Sequence, residues 1–175
     1  MSTARFDHWL SSKGIKKNMI LQVVGVEKTT ASAYNTGTSS YLGTGFSATI
    51  RKKQSTSNVL IMCNLSAANN YWALGARFNR NGTLIGVGNN DSSAQLQGGF
   101  GANHYMGNYI HLWYPCSYTY LDRSTPNSTV TDLVYELELH AYSGTAYLNR
   151  TNNSWNNTDY EGRPISTITL MEIAA

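Results

Sequence analysis

The chain has 175 residues and a mass of 19.3 kDa, the usual size of one domain and too short for two comfortable ones. Charged residues make up only 13% of the chain and apolar residues 41%, so the composition excludes an intrinsically disordered protein. Asn, Ser and Thr together form nearly a third of the chain, and they interrupt helices, while Thr and Tyr suit strands. The composition therefore predicts an all-β protein.

Residues 1–18 differ from the rest of the chain, because large apolar residues lie among basic ones without strand alternation. The spacing of Phe6, Trp9 and Leu10 is that of one short amphipathic turn. Two interpretations stay open, a frayed terminus and an N-terminal arm that anchors the protein to a partner. For the arm, we expect the contacts to come from the apolar turn and the basic residues after it, namely Phe6, Trp9, Leu10, Lys16 and Lys17.

From residue 19 onward the sequence predicts one short strand after another, separated by turn residues. The predicted strands cover residues 19–28, 38–42, 45–51, 58–65, 71–80, 83–87, 109–113, 117–121, 131–142, 145–149 and 166–173. Asn81-Gly82 is the preferred pair for a type I′ hairpin turn, and Ser143-Gly144 has the same position between a later pair of strands. About ten strands over residues 19–175 predict an antiparallel β-sandwich or jelly roll. A barrel stays open, and an immunoglobulin-type sandwich is disfavoured because its Cys…Trp…Cys spacing is missing.

The apolar pattern also predicts which residues lie in the core. Odd-numbered residues from Leu133 to Ala141 are apolar and alternate with more polar ones, which is typical of a strand with one buried face. The run from Val59 to Cys63 is continuously apolar, which predicts a strand covered on both faces. We therefore expect Cys63 to be a buried thiol, whereas Cys116 follows a proline and could be exposed. Nothing in the spacing supports a disulfide bond or a zinc site.

The net charge of +3 is unevenly distributed, because residues 1–53 carry eight Lys and Arg against two Asp and Glu. No long basic stripe is present, so nucleic acid is not the expected partner. Residues 19–26 are too short and too polar for the core of a signal peptide, and no run approaches the length of a membrane span. We therefore expect a soluble protein made in the cytoplasm, without membrane insertion.

No motif for catalysis, metal binding or cofactor binding is present. The His residues are dispersed, Ser occurs in no G-x-S-x-G elbow, and Gly forms no phosphate-binding loop. Glu136 and Glu138 lie on the same face of one predicted strand, about 7 Å apart, a separation that fits an inverting glycosidase. Strand alternation already explains both residues, and catalytic carboxylates usually face each other across a cleft. The sequence therefore predicts a non-enzymatic protein that holds no metal or cofactor.

Aromatic residues are concentrated in two places. Six Tyr and Trp lie within residues 102–120, and Trp155 lies in an Asn-rich loop over residues 149–160. Tyr and Trp serve both cores and interfaces, because a large ring carries a polar tip. We expect most of the Tyr in the core or at its rim, whereas Trp155 suits stacking on a sugar or filling a neighbouring subunit. The candidate ligand-binding residues are Tyr105, Tyr109, Trp113, Tyr114, Asn153, Trp155 and Tyr160.

Several segments within residues 19–175 resemble the globular C-terminal domain of bacteriophage tail-fibre and related virion structural proteins. The closing segment, residues 166–175 (STITLMEIAA), is the most specific, and the others are residues 19–28 (MILQVVGVEK), 45–50 with 55–61 (STSNVLI), and 141–150 with its AYLNR. The resemblance implies a β-sandwich domain, generally trimeric, that is displayed on a virion and often acts in host attachment.

Fibre domains of this kind commonly follow a long shaft, whereas residues 1–18 alone precede the domain here. Because the chain starts at Met1, we expect a complete short protein, such as a head fibre, capsid decoration or tail-tip knob. The main hypothesis is a homotrimer, made in the host cytoplasm, that binds other virion proteins (capsid or tail) through its arm and a bacterial surface glycan through its sandwich. A purely architectural decoration or cement protein is the alternative, and a polysaccharide-degrading enzyme is a third hypothesis.

Overall fold

A computed structural model describes residues 19–37, 40–69, 73–89, 96–103, 114–141, 144–151 and 162–175. Eleven strands and no helix occur in these ranges, so the predicted all-β class is confirmed. The strands are β1 Ile20–Lys28, β2 Ser32–Asn35, β3 Leu42–Arg51, β4 Asn58–Asn69, β5 Ala73–Arg80, β6 Thr83–Ile85, β7 Phe100–Asn103, β8 Tyr114–Asp122, β9 Asp132–Ala141, β10 Thr145–Leu148 and β11 Ser166–Ile173.

The strands form two antiparallel sheets. In the first sheet, β8 pairs with one edge of β4, while β11 and then β10 pair with the other edge. β1 lies outside β11, and β2 lies outside β10. In the second sheet the order is β3-β9-β5, and β6 and β7 share the free edge of β5. The two sheets pack face to face, which confirms the predicted β-sandwich.

The strand order is that of a jelly roll. β1 with β2, β6 with β7, and β10 with β11 each form one interrupted row, so each sheet has four rows. Numbered along the chain, the rows lie side by side in the order 1-8-3-6 in the first sheet and 2-7-4-5 in the second. Consecutive rows mostly alternate between the sheets, as in the double Greek key of a jelly roll. The barrel and the immunoglobulin-type sandwich are thereby excluded.

The core lies between the sheets and is built from alternate residues of each strand. On β9, Leu133 and Leu137 are buried while the residues between them point outward, which confirms the predicted alternation. On β4, Ile61 is buried, but Leu60 is only half-buried and Met62 is 38% exposed. The expectation that this run is covered on both faces is wrong, because its alternate side chains point to the outside of the sandwich.

The strands predicted from the sequence agree best with those of the structure where the alternating apolar pattern is long. The predicted strand 166–173 is β11 residue for residue, and Asn81 and Gly82 have the positive φ values, 48° and 87°, of the predicted turn. The predicted strand 38–42 is wrong, since among its described residues Leu42 alone belongs to a strand. β2 lies earlier instead, because there the backbone pairs with β10.

The predicted hairpin at Ser143-Gly144 is also wrong. β9 belongs to the second sheet and β10 to the first, so the chain crosses between the sheets at this point. The hydroxyl of Thr36 donates to the carbonyl of Ala141 at 3.1 Å, and the Thr36 amide donates to the Gly144 carbonyl at 2.9 Å. These bonds tie the end of β2 to the crossing, while Ser143 itself lies outside the described residues.

Both cysteines are free and buried. They lie on the neighbouring strands β4 and β8, where Cys63 is opposite Tyr118 and Cys116 is opposite Leu65. Cys116 is only 8% exposed, so the preceding proline does not bring it to the surface. The thiols are diagonal rather than direct neighbours, and a diagonal spacing of about 7–8 Å exceeds what a disulfide bond spans without backbone movement.

A buried carboxylate holds the connection between β3 and β4. Glu172 on β11 is fully buried and accepts several hydrogen bonds at 2.5–2.9 Å. The donors are the backbone amides of Lys53 and Gln54, the Ser57 hydroxyl and the Gln22 side-chain amide. Because these donors lie on different parts of the chain, the carboxylate joins β1, β11 and the connection.

Three further buried charged side chains lie at the same end of the sandwich. Arg80 and Asp122 form an ion pair whose side chains are 8% and 0% exposed, and Tyr135 donates to the same carboxylate at 3.0 Å. The ammonium group of Lys52 donates to two carbonyls and to the Thr125 hydroxyl at 2.6–3.1 Å. Buried charges are stable only when paired or hydrogen-bonded, so these contacts explain how the charges are accommodated.

Candidate functional site

The register of the sheets divides the connections between two opposite ends. Ile20 at the start of β1 is paired with Ile173, and Ile173 with Asn58, so β1 and β4 start where β11 finishes. We call this the terminal end, and the connections 52–57, 81–82 and 123–131 belong to it. The opposite, distal end is where β4, β7 and β9 finish and where β5 and β8 start. The protein therefore has two distinct ends that can serve different contacts.

The strand ends at the distal end flank the segment that contains most of the candidate aromatic residues. β7 finishes at Asn103, next to the start of β5, and β8 starts at Tyr114, next to the end of β4. Residues 104–113 connect these two positions, and Tyr105, Tyr109 and Trp113 lie in them, outside the described residues. The described chain therefore assigns both attachment points of this aromatic segment to the distal end.

Tyr114 is the described member of the predicted ligand-binding set. It is half-buried at the start of β8, where it is paired with Ala67 and packs against the core. Burial raises the pKa of its hydroxyl above the ordinary value of 10.0. Its ring faces the core side of β8 and packs against the core, so it does not offer a free surface for a ligand.

A cluster of described side chains lies on the outward face of the second sheet, toward the distal end. We call Tyr41, Arg77, Glu138 and His140 the Tyr41 cluster. The Arg77 guanidinium carbon lies 4.1 Å from the centre of the Tyr41 ring, and Arg77 Nε donates to Glu138 at 2.6 Å. The His140 ring lies 5.3 Å from the Tyr41 ring, and its Nδ1 is 2.8 Å from the Ser40 carbonyl oxygen. The cluster combines an aromatic ring with a cation, an imidazole and a carboxylate.

Glycines make room for the ring of Tyr41. A Cβ at Gly75 would collide with the Tyr41 hydroxyl, and one at Gly98 would lie 2.7 Å from it. Burial raises the pKa of Tyr41, the nearby Arg77 opposes that shift, and Glu138 adds to it. The ring is therefore held against the backbone of the sheet, and its hydroxyl remains protonated at neutral pH. Such a fixed ring beside hydrogen-bonding groups suits a polar ligand such as a sugar.

Glu136 and Glu138, whose spacing would fit an inverting glycosidase, both point outward on β9, as strand alternation predicts. Glu138 is bonded to Arg77 and also accepts from the Asn79 amide at 3.0 Å. Glu136 accepts from the backbone amide of Gly45 at 3.0 Å. Both groups thus make contacts within the second sheet that explain their presence without catalysis.

The Asn-rich loop begins from a buried junction in the first sheet. Asn149 is fully buried with a φ of 57°, and its side-chain amide donates to the Lys28 carbonyl at 2.6 Å. The Ser166 hydroxyl donates to Asn149 Oδ1 at 2.6 Å and accepts from the Ser66 amide at 3.1 Å. This junction holds both ends of the connection between β10 and β11. The candidate residues Asn153, Trp155 and Tyr160 lie outside the described residues.

The predicted arm joins the sandwich at the terminal end. Met19 precedes β1, and its carbonyl accepts from the Ala174 amide at 2.8 Å. The candidate anchoring residues lie outside the described part of the chain, namely Phe6, Trp9, Leu10, Lys16 and Lys17. The described chain therefore positions the attachment point of the arm, at the end opposite to the aromatic segment.

Two further properties of the described residues bear on other functions. No group of three or more His, Cys, Asp and Glu in those ranges is placed to hold a metal ion. None of the described ranges contains a helix long and apolar enough to cross a membrane.

Comparison with known proteins yields no family for this chain, because no protein-family model and no curated protein matches it. Twelve chains of solved structures match it. One is the crystal structure of dimeric latent PorU from Porphyromonas gingivalis, which is 9% identical with a TM-score of 0.46. The alignment covers 94% of this chain but only 14% of the PorU chain. This likeness carries no statement about function.

The Tyr41 cluster was not predicted from the sequence. Tyr41 lies within the segment predicted as strand 38–42, where a Tyr is an ordinary strand residue. Its partners come from β5 and β9, so no local spacing brings them together. Gly75 and Gly98, which leave room for its hydroxyl, are 23 positions apart in the sequence. Only the folded chain brings both of them next to Tyr41.

Proposed function

We propose that this chain is a bacteriophage virion structural protein, a tail fibre, head fibre or surface knob that takes part in host attachment. It forms a homotrimer at the virion surface and is anchored to capsid or tail proteins through residues 1–18. Its distal end binds a glycan of the bacterial surface. Three copies of a weak glycan site would act together, because avidity raises the effective concentration of each site.

The observation that carries the proposal is the opposite placement of the two candidate regions. The arm joins the sandwich at the terminal end, and the aromatic segment 104–113 is attached at the distal end. An attachment protein needs this polarity, since one end is held by its own particle while the other faces the host. The Tyr41 cluster adds a described aromatic and polar surface toward the distal end.

Replacing Phe6, Trp9 and Leu10 together with Ser tests the anchoring role. We expect the variant to remain a folded trimer that no longer assembles on particles, because the apolar contacts of the arm are lost. Incorporation into particles is measured by quantitative immunoblotting of purified virions. Trp155→Ala is the matched control and should be incorporated normally. Full incorporation of the arm variant would show that the anchor lies elsewhere.

Trp155→Ala also separates attachment from the architectural alternative. With attachment, we expect binding to host cells or surface polysaccharide to fall by roughly tenfold or more, with the trimer intact, because ring stacking supplies much of such binding. The measurements are cell-binding titration and light scattering. Dissociation of the trimer with no specific effect on binding would instead favour a purely architectural decoration protein.

A further inference from the structure

β8 forms a free edge of the first sheet. Among the described strands it pairs with β4 alone, in continuous register over all nine of its residues. The exposed side chains of Ser117 and Thr119 lie on the outward face of the strand, while Tyr118 and Tyr120 pack toward the core. β8 is therefore a long and regular strand at the border of the sandwich.

The hydrogen bonds of Ser66 on β4 show which backbone groups of β8 face the free edge. The Ser66 carbonyl accepts from the Asn149 amide, and the Ser66 amide donates to the Ser166 hydroxyl, so both groups point away from β8. Residues directly opposite each other in an antiparallel pair share this alternation. Pro115 is opposite Ser66 and therefore turns its carbonyl toward the free edge. The same holds for the N–H and C=O groups of every second residue after it, namely Ser117, Thr119 and Leu121.

The N–H and C=O groups of these three residues have no hydrogen-bond partner within the part of the chain that the structure describes. A row of unpaired donors and acceptors on a regular strand is a template for a further strand. The row is also neutral, because the charged residue of β8 is Asp122, which is fully buried. The free edge of β8 is thus chemically suited to pair with another strand.

The other border strands carry features that oppose such pairing. β2, β6 and β7 have only three or four residues each. β3 is interrupted by a shift of register before Ser47. β1 has a similar shift at its start and two charged residues at its end, and the Lys53 ammonium group donates to the Leu21 carbonyl at 3.2 Å. Among the described strands, β8 is therefore the long border strand that no bulge interrupts.

We propose that β8 pairs antiparallel with β8 of a second copy of this chain, around a two-fold axis at Thr119. This register places Thr119 opposite Thr119 of the second copy, and Ser117 opposite Leu121. The free N–H and C=O groups then bond to each other in pairs, which gives roughly six hydrogen bonds. The two first sheets become one continuous sheet. Both copies use the same surface, so the contact closes on itself.

The side chains of β8 favour a second copy over a strand of a different protein. With the axis at Thr119, Tyr118 of each copy is directly opposite Tyr120 of the other, and aromatic pairs of this kind stabilise adjacent strands. Both rings are partly buried, and their centres are 6.0 Å apart within one chain. On the outward face, Ser117, Thr119 and Leu121 bring no charge to the contact, although each copy has a net charge of +3. The strand is thus complementary to itself.

The pairing is independent of the proposed attachment role, because it requires neither a trimer nor a glycan. A contact along the edge of one strand is smaller than a standard interface, so we expect a dissociation constant on the order of 1–100 µM. Because the contact is two-fold, it doubles the mass of whatever assembly forms without it.

Thr119→Pro tests the pairing without removing a hydrogen bond between β4 and β8. It eliminates an N–H that faces the free edge, and β8 already holds Pro115 in the same orientation. Thr119→Val is the matched control, because it keeps the N–H and the branched shape. The measurement is molar mass against concentration by size-exclusion chromatography with light scattering. We expect the native protein and Thr119→Val to have twice the mass of Thr119→Pro at about 100 µM, with the dissociation constant of Thr119→Pro raised roughly tenfold or more.

Cross-linking tests the two-fold register directly. Opposite Cα atoms in a hydrogen-bonded antiparallel pair are about 5.5 Å apart, which is a normal spacing for a disulfide bond. We therefore expect Thr119→Cys to link two chains under mild oxidation, as seen by non-reducing gel electrophoresis. Thr49→Cys is the matched control, since Thr49 is exposed on the border strand β3 and should not link. The native Cys63 and Cys116 are buried and should not contribute.

The outcomes separate this inference from the proposed function. The inference is wrong if the native protein and Thr119→Pro have equal mass up to about 1 mM, whether as single chains or as trimers. Loss of pairing in Thr119→Pro without a link at Thr119→Cys would overturn the two-fold register. Circular dichroism checks folding, and if Thr119→Pro does not fold, the cross-linking result decides. Cell binding and particle incorporation test the attachment function separately, so neither result depends on the pairing of β8.

Discussion

At the scale of single residues, Glu172 shows how a buried charge is retained. Burial by itself would raise the pKa of its carboxyl, but the hydrogen bonds from Ser57, from the Lys53 and Gln54 amides and from Gln22 outweigh burial and lower it. The ionised form is therefore favoured in the folded protein. Removing the charge leaves donors without a full set of acceptors, and such groups are costly in a dry interior.

We expect Glu172→Gln to lower the free energy of unfolding by about 2 kcal/mol, because its amide offers one acceptor oxygen in place of two. The measurement is urea unfolding followed by circular dichroism at neutral pH. Asp132→Asn is the matched control, since Asp132 forms an exposed ion pair with Arg51 and exposed pairs contribute little. Equal destabilisation by the two substitutions would contradict a special role for the buried carboxylate.

The lowered pKa of Glu172 also predicts an acid dependence. Because the folded-state pKa lies below the ordinary value of 4.5, the unfolded chain takes up protons first as the pH falls. The stabilisation is complete above the ordinary value and is lost as the pH falls through the folded-state value. We expect the native protein to lose more stability than Glu172→Gln when unfolding is measured below about pH 4.5. Parallel stability curves for the two proteins would rule this out.

At the scale of elements, the turn after β6 is locked by aromatic side chains. Phe78, Phe100 and Tyr118 stack with ring centres 4.6–6.2 Å apart, and Tyr120 lies 6.0 Å beyond Tyr118. The Tyr118 hydroxyl donates to the Gly86 carbonyl at 3.0 Å. Burial, with smaller contributions from Tyr120 and Asp122, raises the pKa of Tyr118 to about 12, so this donor keeps its proton. The stack joins the two sheets along one side of the sandwich.

Gly86→Ala should therefore be more harmful than backbone strain alone explains. Gly86 has a φ of 58°, and an added Cβ would collide with the Tyr118 hydroxyl and the Tyr120 ring. Gly37 is the matched control, because its φ is 63° but a Cβ there would have no atom within 4 Å. We expect about 1 kcal/mol of destabilisation at Gly37 and roughly 1–3 kcal/mol more at Gly86, measured by chemical unfolding. Equal destabilisation by Gly86→Ala and Gly37→Ala would mean that the aromatic side chains move aside for the added methyl group at little cost.

At the scale of the whole molecule, the two thiols report on separation of the sheets. Cys63 and Cys116 both lie in the core, and burial is the main reason that the pKa of each thiol is raised. A raised pKa and a buried sulfur both oppose reaction, because the thiolate is the reactive form.

We expect neither thiol of the native protein to react with a thiol-specific reagent over minutes, and both to react in denaturant. The measurement is absorbance or mass after labelling across a urea series, and labelling should follow the unfolding transition. Cys116→Ala identifies the contribution of Cys63. Rapid labelling of one thiol under native conditions would show that the two sheets separate locally without global unfolding.

Much of the fold is predictable from local patterns. The alternation in β9 and the closing strand β11 follow from side-chain periodicity, and the Asn81-Gly82 turn follows from the tolerance of these residues for positive φ. The short strands β2 and β7 were missed, because each has four residues and forms where a partner edge supplies its hydrogen bonds. Within the candidate site, the sequence indicated aromatic segments, but the Tyr41 cluster depends on residues from three separate elements.

The sequence by itself determined that this protein is all-β, where most of its long strands lie, and that its arm and aromatic segments differ from the rest. These properties depend on composition and on short periodic patterns, which act locally. The tertiary structure alone decided that the arm and segment 104–113 are attached at opposite ends, and that Val23, Met171, Leu60 and Leu121 form one stripe. Strand pairing between distant parts of the chain sets these positions, because register, rather than local pattern, selects which outward side chains become neighbours.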